Sequence, residues 1–323
     1  MGTEIMVSVI CCAYNQEIYI EDALKGFVTQ KTSFLFEVLV SDDASTDGTA
    51  DIIRSYEERY PELIKPVYFT QNQYSKGNSP YITLWNKARG KYLAICEGDD
   101  YWTSEDKLQK QFDAMEAHPE CDMCAHSAYM VKASDKSVIS KIEPRQGDGI
   151  LTMEQVIIGG GNFIATNSLF YRAELLHAPA RFAAKYCIDY ALQMHGAMRG
   201  GIWYLSETLS AYRRGAEQSW TLRMEKNQAV MIRHIHMMMD MLEMADEDTG
   251  HKFSESFRQA LRKYEFQLAG MERKAKIVYS RDFSDLRKAL PAKKQLILFL
   301  QCYSPWLLKL WQKTCGHGKR KAD

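Results

Sequence analysis

The sequence lacks a net charge, and its cysteines do not form the pattern of a disulfide-stapled protein. The 323 residues contain 41 Lys and Arg against 41 Asp and Glu, so the formal net charge is zero. No global field therefore favours nucleic acid. Cys11 and Cys12 are adjacent in one apolar run and Cys96 ends another, which is typical of reduced core residues. We expect no nucleic-acid partner and no disulfide framework.

The pattern of a leader segment and that of a membrane span are also missing. The N-terminus has no charged region followed by an apolar stretch and a small-residue cleavage site, so we expect the catalytic part to lie in the cytoplasm. Near the C-terminus, two apolar stretches at 296–300 and 306–311 are separated by Ser304 and Pro305. A membrane span needs ~20 mostly apolar residues, so this interruption argues against a spanning helix.

Strand and helix patterns alternate through the first hundred residues. Continuous apolar runs predict buried strands at 6–13, 35–41, 64–70 and 92–96. Helical spacing lies between and after them, at 18–30, 49–58, from Pro80 onward and at 106–117. This alternation predicts an α/β fold with a mainly parallel sheet flanked by helices. Two long, charged helical patterns at 225–245 and 254–278 predict a helical C-terminal extension, and we place the boundary between residues 1–221 and 222–323.

Acidic residues cluster where two of the predicted strands end. Asp42 and Asp43 follow one strand, and Glu97, Asp99 and Asp100 follow another. The ligand crevice of an open α/β sheet lies at these strand ends. Carboxylates packed closely repel one another unless a cation or hydrogen-bond donors offset them. Oxygen ligands without His or Cys favour Mg²⁺ or Mn²⁺.

Each acidic cluster also has a simpler interpretation as a polar turn that caps the next helix. For one cluster alone that interpretation is the better one, whereas two clusters at equivalent strand ends favour a ligand site. Asp189 is a third acidic candidate, because it opens a predicted helix among apolar neighbours. On local grounds, a helix cap and a functional carboxylate remain equally open for Asp189.

An ordered set of motifs over roughly the first 220 residues resembles glycosyltransferase family 2. The motifs are Val7-Ser8-Val9-Ile10, Ala13-Tyr14-Asn15, Ser41 to Thr49, Ala88 to Tyr92, Glu97 to Trp102, Gly161 to Ile164, Asp189, and Ser210 to Arg213. The resemblance implies a GT-A fold of the nucleotide-diphospho-sugar transferase, Rossmann-like type. It also implies a nucleotide-sugar donor, usually UDP-linked, and inversion at the anomeric carbon.

The resemblance also implies roles for single residues. Tyr14 and Asp43 match the nucleobase contacts, beside the backbone of Cys12 and Ala13. Glu97 and Asp99 occupy the family's D-x-D, with Asp99 as the main metal ligand for Mn²⁺ or Mg²⁺. Asp100 would help position the donor sugar, and Asp189 falls where the family carries its general base. Lys76, with Asn72 and Asn78 as alternatives, would face the diphosphate.

Three departures from the family pattern qualify these roles. Glu97 replaces the first Asp of D-x-D, and its longer side chain is less suited to direct metal ligation. Ile188 stands before Asp189, where many members carry a second acid. The Q-x-x-R-W motif of processive synthases is absent, and the sequence 218–220 only partly resembles it, so we expect transfer of a single sugar.

The acceptor side is less defined by the sequence. Trp102 and Trp220 each have two interpretations, as a stacking surface for a sugar ring or as a core residue. Aromatic residues beside lysines in 295–321 suit a helix lying on an anionic membrane surface, or equally one docked on protein. We expect a hydroxyl acceptor on a cell-surface glycan or a lipid-linked acceptor.

Two other functions are compatible with the same fold class. One is a catalytically silent interaction protein, against which the joint presence of Asp43, Asp99, Asp100 and Asp189 argues. The other is a metal-dependent nucleotidyltransferase, which would be expected to carry a glycine-rich, basic loop after the first strand. The corresponding turn here reads Tyr14-Asn15-Gln16-Glu17.

Overall fold

The computed structural model describes residues 4–176, 179–217, 219, 222 and 227–307. Its N-terminal half is a parallel sheet of four strands: β1 (Ile5–Ala13), β2 (Leu35–Asp42), β3 (Ile64–Tyr68) and β4 (Tyr92–Ile95). They lie side by side in the order β3-β2-β1-β4. Three helices connect them: α1 (Ile20–Val28), α2 (Thr49–Arg59) and α3 (Pro80–Trp85). Both faces of β1 are buried, as its continuous apolar sequence predicts.

The second half adds mostly antiparallel strands to the same sheet. They are β5 (Tyr101–Trp102), β6 (Met123–Lys132), β7 (Val138–Ile142), β8 (Gly149–Leu151), β9 (Phe170–Arg172) and β10 (Ile202–Arg214). The order continues from β4 through β9, β6 and β10 to β5, while β7 pairs with β6 and β8 with β10. The predicted α/β class is confirmed, but the sheet is mixed, since β4 pairs antiparallel with β9 and β6 with both β7 and β9.

Four helices accompany this half: α4 (Lys107–Ala117), α5 (Met153–Gly159), α6 (Arg181–Tyr186) and α7 (Asp189–Ala197). The sequence pattern around 203–205 predicts only a short strand, whereas β10 has 13 residues. It is long because it pairs with three other strands along its length. Local periodicity does not report such long-range pairing.

The C-terminal region is helical, as predicted, and packs onto the sheet domain. Its helices are α8 (Gln228–Asp248), α9 (Ser254–Met271), α10 (Ala275–Val278), α11 (Ser284–Ala289) and α12 (Ala292–Tyr303). Met238, Met241 and Phe257 belong to one buried cluster with Ile157 and Tyr190 of the sheet domain. The predicted boundary at residue 221 lies outside the described residues. In the described part of the chain, no helix has the length and apolar character needed to cross a membrane.

Candidate active site

The loops that follow β1 and β2 are joined by reciprocal hydrogen bonds. The Asn15 carboxamide oxygen accepts from the backbone N–H of Thr46 (2.8 Å), and the Asn15 N–H donates to the Ser45 hydroxyl (3.0 Å). Asn15 and Ala44 adopt left-handed backbone conformations, with φ of 49° and 60°. Such conformations are costly for residues other than glycine and persist where the surroundings enforce them. The two loops therefore form a fixed cradle at the strand ends.

Asp43 ties a third loop to this cradle. Its carboxylate accepts the backbone N–H groups of Gln73 (2.6 Å) and Tyr74 (3.1 Å), and its own N–H donates to the carbonyl of Ala13 (2.9 Å). Asp43 is 3% exposed. Lys76 lies on the exposed side of this third loop, where its ammonium donates to the side chain of Gln71.

The structure thus brings together the residues that the sequence predicts to bind the nucleotide. Ala13 and Asp43 are bonded to each other, and Cys12 and Tyr14 are partly buried beside them. Asn72 also belongs to this group, because its side-chain amide donates to the Asp43 carbonyl (3.0 Å). The nucleobase contacts themselves stay a prediction.

The acidic turn after β4 is pressed against the end of β1. The Gly98 N–H donates to the Cys12 carbonyl (3.1 Å), and the Asp100 N–H donates to the Glu97 carbonyl (3.0 Å). A Cβ atom at Gly98 would lie 2.4 Å from the side-chain oxygen of Gln16 and 2.8 Å from Ile20. Any larger residue here would require those side-chain ends to shift. The turn therefore places its acids directly beside the cradle formed by the loops after β1 and β2.

Arg213 of β10 holds the acidic turn from the other side. Its guanidinium donates to the Asp99 carbonyl (2.7 Å), and its backbone N–H donates to the Asp100 carboxylate (2.8 Å). The same guanidinium pairs with Asp22 of α1 and lies over the ring of Tyr101. Arg213 is only 2% exposed. It is a structural clamp that the sequence motif alone did not assign to any role.

Asp100 is fully buried, with an exposed fraction of 0%. One carboxylate oxygen accepts the Arg213 N–H, and the other accepts the side-chain amide of Asn167 (2.9 Å). Burial raises the pKa of this carboxyl well above its ordinary value, and the nearby charges of Asp99 and Glu97 add to the shift. Asp100 anchors the acidic turn, and its predicted part in positioning the donor sugar stays a prediction.

Asp189 is the first residue of α7 and is partly buried. One of its oxygens accepts from the Thr166 hydroxyl (2.8 Å), and the other accepts from the backbone N–H of Tyr190 (2.7 Å). Burial raises the pKa of Asp189, while the two donated hydrogen bonds oppose this shift. The orientation of the carboxylate is therefore fixed, and its pKa is moved from the ordinary value toward neutral pH.

Glu97 shows that the acids from distant parts of the chain meet. Its pKa is raised to about 8, first by burial and then by the negative charges of Asp99 and Asp189. The Tyr81 hydroxyl acts in the opposite direction. Burial also raises the pKa of Asp99, and Arg213 opposes that shift. Glu97 therefore lies within electrostatic reach of both Asp99 and Asp189, which are 90 residues apart in the sequence.

These carboxylates have the donor chemistry of a divalent-cation site. Glu97 and Asp99 supply oxygen ligands, and their mutual repulsion is the kind that a cation relieves. Among the described residues, no three His, Cys, Asp or Glu side chains form a complete metal cage. Mg²⁺-type ions bound by one or two carboxylates normally complete their shell with phosphates and water. The residues present fit an ion bound in that way.

Two tryptophans were candidates for the acceptor side. Trp102 is 4% exposed and packs edge-on against Phe27, with the Lys107 ammonium over its ring, so the structure favours the core interpretation of the two that the sequence left open. Trp220 lies outside the described residues.

The C-terminal helices bring a residue close to Asp189, which the sequence patterns do not predict. Tyr264 of α9 has its pKa raised to about 12 by burial and by the charge of Asp189. Helix α9 is held nearby, because the Lys263 ammonium donates to the Ile158 carbonyl at the end of α5 (2.6 Å). Helical periodicity indicates the buried face of α9 but does not show which part of the fold it covers.

The fold and this site define a GT-A type transferase. The profile of "Glycosyl transferase family 2" matches residues 8–175. The chain belongs to glycosyltransferase family 2.

Two curated relatives illustrate the similarity. An uncharacterized protein of Mycobacterium tuberculosis is 39% identical over 216 residues, which are 66% of this chain and 60% of that protein. The Escherichia coli "UDP-Glc:alpha-D-GlcNAc-diphosphoundecaprenol beta-1,3-glucosyltransferase WfaP" is 34% identical over 112 residues, 34% of this chain and 41% of that one. The chain thus matches less than two thirds of either relative's length.

Solved structures support the fold at low sequence identity. TarS of S. aureus in complex with UDP aligns with 93% of this chain and 81% of its own, at a TM-score of 0.56 and 17% identity. The Pyrobaculum calidifontis mannosyltransferase PcManGT, in complex with GDP-Man and Mn²⁺, aligns with 97% of this chain and 84% of its own, at a TM-score of 0.54 and 18% identity.

Proposed function

We propose that this protein is an inverting, metal-dependent glycosyltransferase that moves one sugar from a nucleotide-sugar donor to a hydroxyl acceptor in cell-surface polysaccharide or glycolipid synthesis. The observation that carries the proposal is the convergence of Glu97, Asp99 and Asp189 in one electrostatically coupled group. Family membership favours this function over a nucleotidyltransferase. The presence of the acids favours it over a catalytically silent protein.

Asp189 acts as the general base in this mechanism. An acceptor hydroxyl is a weak nucleophile until a positioned carboxylate takes its proton. Thr166 and the Tyr190 N–H each bind one Asp189 oxygen, so the carboxylate is held in a single orientation. Its raised pKa makes it a stronger base than an exposed carboxylate.

The transfer is a single in-line displacement. The acceptor oxygen forms a bond to the anomeric carbon while the bond to the nucleoside diphosphate breaks on the opposite face, and the hydroxyl proton passes to Asp189. One displacement inverts the anomeric configuration. A divalent cation held by Asp99, with Glu97 as a second candidate ligand, would offset the charge that gathers on the leaving diphosphate. The Arg213 guanidinium keeps Asp99 in place by donating a hydrogen bond to the Asp99 carbonyl.

A UDP-sugar is the donor we propose, bound in the cradle of Cys12, Ala13, Tyr14 and Asp43, with Lys76 facing the diphosphate. TarS has been solved in complex with UDP-GlcNAc, and the E. coli relative is named for UDP-Glc and a β-linkage, which fits inversion of an α-linked donor. PcManGT has been solved in complex with GDP-Man, so GDP-sugars are the main competing donors.

A donor screen tests the activity and the nucleotide together. The protein is incubated with Mn²⁺ or Mg²⁺ and UDP-, GDP- or dTDP-sugars, and release of nucleoside diphosphate is followed. We expect release from UDP-sugars, and none with the Asp189→Asn variant. Preferential turnover of a GDP- or dTDP-sugar would overturn the donor choice. A product with retained anomeric configuration, measured by NMR, would overturn the inverting mechanism.

The C-terminal region supports peripheral contact with an anionic membrane, where a lipid-linked acceptor would be found. Residues 273–321 contain thirteen Lys and Arg but only two Asp, in a chain whose formal net charge is zero. On α12, Leu296, Phe299 and Tyr303 form an exposed stripe at helical spacing, with exposed fractions of 54%, 47% and 53%. The opposite side of α12 packs on α9 through Leu298 and Gly270.

Vesicle sedimentation tests the membrane contact. We expect the full chain to bind vesicles containing phosphatidylglycerol, to ignore purely zwitterionic vesicles, and to dissociate at high salt. The double variant Leu296→Ser/Phe299→Ser should lose binding. The matched control is Val138→Ser/Ile139→Ser, because these residues are also exposed (59% and 45%) but lie on β7. Equal loss in both double variants, or binding without anionic lipid, would contradict the proposal.

A further inference from the structure

A short 3-10 turn, Thr166–Ser168, lies between the two acidic parts of the site. It precedes β9, the strand that lies between β4 and β6 and pairs antiparallel with both. Consecutive residues of this turn contact different acids: Thr166 donates to Asp189, and Asn167 donates to Asp100. No role for this turn follows from its sequence pattern.

Asn167 is fully buried, and its side chain makes three hydrogen bonds. Its amide nitrogen donates to the Asp100 carboxylate (2.9 Å) and to the Ala211 carbonyl (3.0 Å). Its amide oxygen accepts from the Ser210 hydroxyl (2.6 Å), and its backbone carbonyl accepts from the Trp102 indole (3.2 Å). The acidic turn and β10 therefore meet at this one side chain, which is 0% exposed.

Further hydrogen bonds, which involve Ser168, hold the turn in place. The Gln111 side chain of α4 donates to the Ser168 carbonyl (2.8 Å), and the Ser168 hydroxyl donates to the Ala165 carbonyl (2.7 Å). Gln111 and Ser168 are both 0% exposed. Neither Thr166 nor Asn167 can therefore shift without disrupting buried hydrogen bonds, whose loss is costly.

We infer that Thr166 and Asn167 are paired positioning residues that fix the general base and the metal-binding turn at one mutual separation. The inference rests on the proposed function. Asn167 acts on the donor side, because Asp100 is continuous with the Asp99 turn. Thr166 acts on the acceptor side, because its hydroxyl binds the base itself. The turn is a rigid spacer between the two reacting partners, and a misplacement of about 1 Å is enough to slow such a reaction strongly.

The Thr166 hydroxyl also selects the ionised form of the base. A hydroxyl that donates to a carboxylate stabilises its charged state, so losing this bond leaves burial to raise the pKa of Asp189 further. Thr166→Val keeps the shape and removes the donor. We expect the acidic limb of the kcat–pH profile to move to higher pH, with kcat reduced about 10–100-fold and the KM for donor little changed. Thr166→Ser, which keeps the hydroxyl, should restore the profile.

Asn167→Leu tests the donor side with a side chain of similar size. Here we expect the KM for the donor and the metal concentration for half-maximal activity to rise about 10–100-fold, with the acidic limb unmoved. Circular dichroism and thermal unfolding identify a variant that fails to fold. In that case Ser210→Ala, which removes one bond to Asn167, provides the same comparison in a milder form.

Two results would overturn the inference while leaving the proposed function intact. One is an active Thr166→Val enzyme with an unmoved acidic limb. The other is the same KM and pH response in Thr166→Val and in the Asn167 variant, which would indicate general structural damage. Absence of transfer by the wild-type protein with any donor would instead count against the proposed function.

Discussion

The nucleotide cradle and the acid cluster are adjacent, yet they are stabilised in opposite ways. In the cradle, loops around Asn15 and Ser45 exchange hydrogen bonds, and the Asp43 carboxylate accepts two backbone N–H groups. In the acid cluster, Glu97 and Asp99 are partly buried, and their pKa values are raised by burial, with like charges adding to the shift of Glu97. The polar groups of the cradle are paired by hydrogen bonds, whereas the acids of the cluster resist ionisation.

The cradle loops are thus rigid, whereas the acid cluster holds the groups whose pKa values are shifted. A surface that must recognise a nucleotide benefits from being fixed before binding, since less ordering is then needed. Burial raises the pKa of Asp189, and burial together with neighbouring negative charges raises that of Glu97. The raised pKa values thus fall on the acids where we propose that bonds change.

The largest effect should come from removing a carboxylate of the cluster. Asp99→Ala and Asp189→Ala should each reduce transfer about 1,000-fold or more. The fold should survive, because both side chains are only partly buried. Donor turnover and thermal unfolding measured on the same samples check both statements. Full activity in Asp189→Asn would reject the base assignment.

Gly98→Ala should disturb the contact between the acidic turn and the end of β1. The new Cβ would collide with the side-chain ends of Gln16 and Ile20 and would lie 3.1 Å from the Cβ of Ala13, so these side chains or the acidic turn must shift. We expect about a tenfold loss of kcat/KM and a loss of about 1–3 kcal/mol in the free energy of unfolding. Gly161→Ala is the control, since its Cβ meets Tyr190 at an ordinary 3.6 Å. An unaltered Gly98→Ala enzyme would show that the close approach is unnecessary.

Glu97→Gln should change how stability depends on pH. In the metal-free protein, the pKa of Glu97 is about 8 when folded, against an ordinary value of 4.5. Between those values the folded chain holds a proton that the unfolded chain has released, so stability falls as pH rises. Glu97→Gln should flatten this decline in denaturant titrations between pH 5 and 8. If stability fell equally steeply with pH in both proteins, Glu97 would not be a buried acid beside Asp99 and Asp189.

Lys107→Met should have the smallest effect on transfer while raising stability. The Lys107 ammonium is fully buried over the Trp102 ring, and burial lowers its pKa to about 7. Within the described residues it has no hydrogen-bond acceptor. Because the pKa is depressed, wild-type stability should rise from pH 7 to pH 10, and the variant should lose this rise. We expect a gain on the order of 2 kcal/mol at pH 7. A destabilised variant would indicate that the cation–π contact dominates.

Sequence patterns were sufficient for the parallel half of the fold. The strands before Asp43 and Glu97 are continuous apolar runs, so their ends and the acids that follow them are visible locally. Adjacency of those two strand ends then follows from the rules for parallel α/β sheets. Asp189 required the family resemblance, since a helix cap explains it equally well.

Other features depended on contacts that no local pattern reports. Trp102 has the same amphipathic side chain whether it meets a sugar or the core, and only packing decides. Asp100 is adjacent to Asp99, yet β10 and the turn holding Asn167 bury one and leave the other at the crevice. Tyr264 approaches the site only because α9 packs across α5. Each of these neighbours is distant in the sequence, so no local pattern reveals the contact.

Arg213 has a consequence for the order in which the protein is made. It joins the Asp99 carbonyl near the middle of the fold to Asp22 in the first helix. During synthesis β1 to β4 and the acidic turn emerge from the ribosome well before this residue. The acidic turn therefore lacks its clamp until nearly two thirds of the chain has been translated.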